Sequence, residues 1–124
     1  MAKTRGLSDT PEYQIWYSMK QTAITRGGGN IFADLGLPNA DEHMLKARLV
    51  ICIDKMIEHA ELTQHVAAKK MGVSQPDVSD LLRGHFEGFS LERLLGFVRA
   101  LGSDVEIKVK RRPQGEEGRL SLVT

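Results

Sequence analysis

Apolar residues recur at helical spacing in three stretches of the chain and alternate with polar ones in a fourth. Between Asn39 and His59, the residues Leu45, Leu49, Cys52, Ile53, Met56 and Ile57 fall on one face of a helix. Asn39 followed by Glu42 predicts a capping-box-like start for it. From Thr63 to Gly84 the pattern predicts two short helices around a tight turn, with Val66, Ala67, Met71, Val73, Val78, Leu81 and Leu82 as the buried face. Leu91, Leu94, Leu95, Val98 and Leu101 form a third stripe, capped by Ser90 with Glu92 in the first turn and ended by Gly102. The intervening residues His85–Phe89 are expected to form a loop.

The period then changes. Val105, Ile107 and Val109 alternate with Glu106, Lys108 and Lys110, which predicts a half-buried strand over residues 103–112. A lone strand leaves its backbone groups unpaired. Residues 119–123 can return as a hairpin partner across Pro113–Gly118, but the preferred expectation is pairing with the same strand of a second copy. Val105, Ile107 and Val109 are then the dimer interface.

The turn at Gly72 is the most informative feature. Thr63 can cap the helix that starts at Gln64, and Gly72 stands where a helix stops by entering the left-handed region. Ser74 caps the next helix, and Pro76 lies in its first turn, where a missing N–H has no consequence. Ala68 lies where two crossing helices approach most closely and only a small side chain fits. Val73 plugs the corner, and Val78 and Leu81 anchor the second helix. A small residue, a glycine four positions on, then apolar residues six and nine beyond that glycine form the helix-turn-helix pattern.

Ahead of these elements, Met1–Gly29 carries four cations against two carboxylates and contains Tyr13, Trp16 and Tyr17, the chain's only Trp and both its Tyr residues. Two readings stay open for this cluster: a satellite patch on the domain, or a partner-binding segment anchored by aromatics. Gly27–Gly29 is expected to make residues 1–29 a flexible arm. Residues 30–38 form a short apolar lead-in under the core. The expected organisation is therefore an arm (1–29), a helix-turn-helix domain with its strand (30–112) and a tail (113–124).

Composition narrows the function. The 124 residues have a formal net charge of +1, weak for a nucleic-acid binder. Residues 60–88 hold three cations against four carboxylates, so attraction to phosphate must come from local placement and from the chain's ends. One cysteine, no secretory leader and no apolar run long enough to span a bilayer suit a reducing cytoplasm, and Cys52 is expected to be an inert core thiol. The four histidines lack HExxH or paired Cys/His spacing. No G-x-S-x-G or phosphate-cradling glycine loop is present, so neither enzyme chemistry nor a metal or other cofactor is expected.

The Thr63–Gly84 stretch resembles the helix-turn-helix of phage-repressor-like, Xre-type regulators, including a Gln opening the first helix (Gln64) and another just after the second cap (Gln75). The flanking Gly29–Pro38, Gly84–Leu95 and Asp104–Ile107 motifs make residues 29–112 similar to HigA-like antitoxins. The resemblance implies a mainly α bundle of about five helices with a C-terminal strand that pairs in a dimer. It also implies a DNA-binding antitoxin that neutralises a HigB-type mRNA endonuclease and represses their shared promoter. A stand-alone repressor, or an interaction module that has lost DNA binding, are the alternatives.

On this reading the second helix of the motif enters the major groove by its N-terminal end. Gln75 is the expected base reader, since its amide can bond adenine N6 and N7 together. Gln64 is expected to meet a phosphate oxygen at a helix N-terminus. Ser74 and Ser79 are further candidates, though Ser74 has a structural role as a cap. Asp77 could accept from cytosine N4, but reaching back to the cap is preferred. Arg83 either pairs with Asp80 or reaches phosphate. Lys69 and Lys70 are read as a solvated face with some backbone contact. The expected partners are an inverted-repeat operator in double-stranded DNA and a second copy of the chain; a membrane is not expected.

Overall fold

The computed structural model describes residues 39–123. They contain four helices: α1 (Ala40–His59), α2 (Gln64–Met71), α3 (Gln75–Leu82) and α4 (Leu91–Ala100). α1 packs along α4 and α2 along α3, while α1–α3 and α2–α4 contacts lock the two pairs together. One core joins them. Ile53, Val50, Val78, Leu81 and Leu94 are fully buried at its centre. No polar or charged residue among those described is buried with them, so the core is held by apolar burial alone. No helix among the described residues is long and apolar enough to cross a membrane.

The helix ends follow one local rule. After α2, Val73 N–H donates to Ala68 O (3.0 Å) and Gly72 N–H to Lys69 O (3.3 Å). These are the paired bonds of a Schellman motif, with Gly72 left-handed at φ 76°. Leu62 N–H to Ile57 O and Glu61 N–H to Glu58 O, both 3.0 Å, repeat it after α1. There the left-handed position is held by Glu61 at φ 54°, a residue with a Cβ. Val73 and Leu62, the residues after these two corners, both pack on the core, which fixes the direction in which the chain leaves.

Several expectations need correction. Asn39 does not cap α1 through its side chain: it is itself left-handed (φ 55°, ψ 42°), which takes its amide away from the first-turn N–H groups, and Glu42 instead lies 3.9 Å from Lys46. Val66 is 40% exposed and not part of the buried face. Ala67, Ala68 and Met71 set the inward side of α2, and Val66 lies roughly 150° around the helix from it. The loop between α3 and α4 carries more of the core than its sequence suggested, for Phe86 and Phe89 are both buried. Phe89 meets Phe97 edge to face at 6.0 Å, and the Arg93 guanidinium lies 4.8 Å from the Phe89 ring centre.

The expected strand over 103–112 forms no ladder, and no strand occurs among the described residues. Residues 119–123 return without pairing with it, so the hairpin reading fails. Instead the start of the segment and the chain end beyond it are each pinned to α1. Ser103 Oγ approaches Met56 Sδ (3.7 Å), and Arg48 Nη1 donates to Leu122 O (3.4 Å). Between these points Val105 is half-buried against the core, while Ile107 is 80% and Val109 91% exposed. Among the described residues no strand edge lies beside this segment, so its backbone groups form no ladder. The arm with Tyr13, Trp16 and Tyr17, and the lead-in, lie outside the described residues.

Candidate nucleic-acid interface

The candidate surface is built from α3 and the two caps that fix it. Thr63 Oγ1 accepts from Val66 N–H (3.1 Å) and starts α2. Ser74 Oγ accepts from Asp77 N–H (3.2 Å) and starts α3, with Pro76 in the first turn. Each cap satisfies an otherwise orphaned donor and sets where the helix begins to within a residue. Gln75 is therefore the first residue of α3, and it is exposed. Val78 and Leu81 are completely buried on the side of α3 away from Pro76 and Ser79, so α3 cannot rotate about its axis without emptying the core.

The remaining candidates divide by place. Ser79 follows Gln75 by four residues along α3, and Arg83, four further on, is the residue that caps its end. Pro76, exposed beside Gln75, was read from the sequence only as a helix-start signal; its apolar ring belongs to the leading surface as well. Asp77 makes the cap through its backbone, and no bond returns from its carboxylate to Ser74 N–H. Gln64 is half-buried at the first position of α2, and Lys69 and Lys70 are exposed in that helix's last turn. Their charge there complements the negative pole of α2, an ordinary structural reason for two lysines. Arg83 is ion-paired with Asp80 through Nη2 and Oδ1. Val105, Ile107 and Val109 belong to the segment pinned on α1, not to the α2–α3 surface.

Titration chemistry adds little to this surface. At Cys52, on α1, burial pushes the thiol above its ordinary value against the opposing pull of Lys55 and Arg48. Less thiolate makes it a weak nucleophile. Among the described residues no three His, Cys, Asp or Glu side chains come together as a metal site.

The comparisons with known proteins agree with this architecture. Residues 31–110 match the family described as a helix-turn-helix domain. A solved structure provisionally described as an XRE family transcriptional regulator is similar at a TM-score of 0.65 and 40% identity, over 70% of this chain and 99% of that one. No curated protein matches the chain. With two capped helices meeting at a left-handed glycine and a family match spanning most of the chain, this protein belongs to the helix-turn-helix domain family and has the fold of its Xre-type regulators.

Proposed function

We propose that the chain is a sequence-specific, DNA-binding transcriptional regulator that reads its operator with the leading end of α3. The observation that carries this is Gln75: exposed, held at the first helical position by the Ser74 cap, on a helix anchored by the fully buried Val78 and Leu81. An amide so placed can bond an adenine edge in the major groove, with Ser79 and Pro76 beside it. Gln64 opens α2 where backbone N–H groups point outward, a natural place for a phosphate oxygen. Two copies would set their α3 helices one turn of duplex apart, about 34 Å, on an inverted repeat.

The Asp80–Arg83 pair and the near-neutral motif temper the electrostatic share of binding. Affinity then depends more on base contacts than on phosphate charge. Gel-shift titration against the DNA upstream of its own gene is the test. Gln75→Ala should weaken operator binding about 5- to 150-fold, with little change on random DNA. Equal affinity for operator and random sequence, at physiological salt, would end the reading.

The finer assignment is an autorepressing antitoxin of the HigA-like kind. It is supported by the Gly29–Pro38 and Gly84–Leu95 motifs and by the Asp104–Ile107 segment, and it calls for a partner encoded alongside. Co-expression with the neighbouring reading frame tests it: an antitoxin should co-purify with a small mRNA endonuclease and rescue growth. Rescue without any operator binding would favour an interaction module instead.

A further inference from the structure

Each residue of α3 stands about 100° around the helix axis from the one before it, which fixes what the helix presents outward. Val78 and Leu81 point into the core. Within roughly 10° of the direction opposite to them stands Pro76, and Ser79 and Arg83 follow it along the same side. Gln75 lies roughly 90° from the core-facing direction, on the flank. Both Gln75 and Pro76 are exposed, so the foremost atoms of the first turn are the ring carbons of Pro76. We infer that this ring reads a thymine 5-methyl group in the major groove, on the base pair beside the one that Gln75 reads. The inference rests on the DNA-reading function proposed above and deepens it by naming the bases of the half-site.

The chemistry leaves the ring one target. A pyrrolidine ring offers no donor and no acceptor, and proline has no backbone N–H. Among the groups that base pairs show in the major groove, the apolar one is the thymine methyl. Against a guanine, adenine or cytosine edge the ring would strip water from polar atoms and return no hydrogen bond.

The rest of the leading surface points the same way. α3 carries no Lys or Arg from Gln75 to Leu82. Arg83 stands at its far end, paired with Asp80. The bidentate cation contact to guanine O6 and N7 therefore has no donor at the leading end. Gln75 suits adenine, Pro76 suits thymine and Ser79 suits either, so the half-site is centred on A·T pairs.

Proline in a first turn also favours the start of a helix, so the test needs a readout that a helix start would not move. Replacing thymine by uracil removes the methyl and keeps the hydrogen-bonding groups of the base pair. The operator is first selected from a pool of random duplexes by the natural full-length chain. Each thymine is then replaced in turn, in both half-sites together. One replacement should weaken binding about fourfold per half-site, the worth of one buried methyl, and the others by less than about 1.5-fold. Pro76→Ala, with its helix content checked by circular dichroism, should bind the thymine and uracil operators equally. Gln75→Ala should keep the uracil penalty, because its contact is to a different pair.

A scan of the natural chain with no sensitive thymine, a penalty that persists in Pro76→Ala, or selected half-sites centred on G·C pairs would each overturn the inference. The scan decides by itself if Pro76→Ala does not fold. An operator bound through Gln75 but indifferent to uracil sinks the Pro76 contact alone. A selection that enriches no sequence sinks the DNA-reading function as well.

Discussion

The α2–α3 corner and the segment after α4 have similar shares of apolar residues, and the chain treats them oppositely. At the corner the bonds that fix the backbone are local: Thr63 and Ser74 each take one first-turn donor, and Gly72 and Val73 bond the carbonyls of Ala68 and Lys69, all within five residues. Its apolar side chains then reach the core without leaving their own neighbourhood. The segment from Ser103 has the same need and no local means of meeting it, since a strand's partners lie on another strand. It touches the body at Ser103 and Val105 and leaves Ile107 and Val109 in water. Local hydrogen bonding makes an element autonomous; without it the element waits for a second surface.

Four substitutions can break or sharpen that contrast. The largest effect belongs to Leu81→Ala, which empties the centre of the core beneath α3. It should lower unfolding free energy by about 2–5 kcal/mol in a urea titration. A loss under 1 kcal/mol would mean that α3 is not anchored as described. Gly72→Ala comes next. Nothing lies within 4 Å of the added Cβ, so the cost is that of holding Ala left-handed, about 1–2 kcal/mol. An unchanged melting temperature would show that the corner can reopen without its positive φ.

Glu61→Gly makes the converse change at the matching corner after α1. The backbone is left-handed there too, so relieving the Cβ should raise stability by about 0.5–1 kcal/mol net of glycine's greater chain entropy. A destabilised variant would mean that the Glu61 side chain supports the corner in a way its backbone geometry does not reveal. The smallest effect is expected at Val109→Ser. At concentrations where copies are separate, stability should shift by less than about 0.5 kcal/mol, because the side chain is already in water. A large loss in dilute solution would show the segment to be part of the single chain's core.

Much of this was legible beforehand because its causes are local. The Ser74, Thr63 and Ser90 caps, the stop at Gly72 and the inward set Val78–Leu81 all follow from residues within a turn or two of each other. Gln75 could be placed at the head of α3 because the cap beside it leaves no other start. Asn39 misled for the same kind of reason: its side chain suits a cap and its backbone suits a left-handed turn, and spacing cannot choose between them. Val66 and Val73 look alike in a list of apolar residues. Only the face chosen by Ala67, Ala68 and Met71 puts one in water and the other against the core.

By itself, then, the sequence determined where the four described helices run, the caps that start α2, α3 and α4, and the corner between α2 and α3, since caps, glycine backbones and helical periodicity act within a turn or two. Tertiary structure alone decided that Phe86 and Phe89 complete the core from a loop, and that the last segment lies along α1 without a ladder. Those outcomes depend on which surfaces meet across the chain, and the hydrophobic effect that brings them together is indifferent to how far apart in sequence they stand.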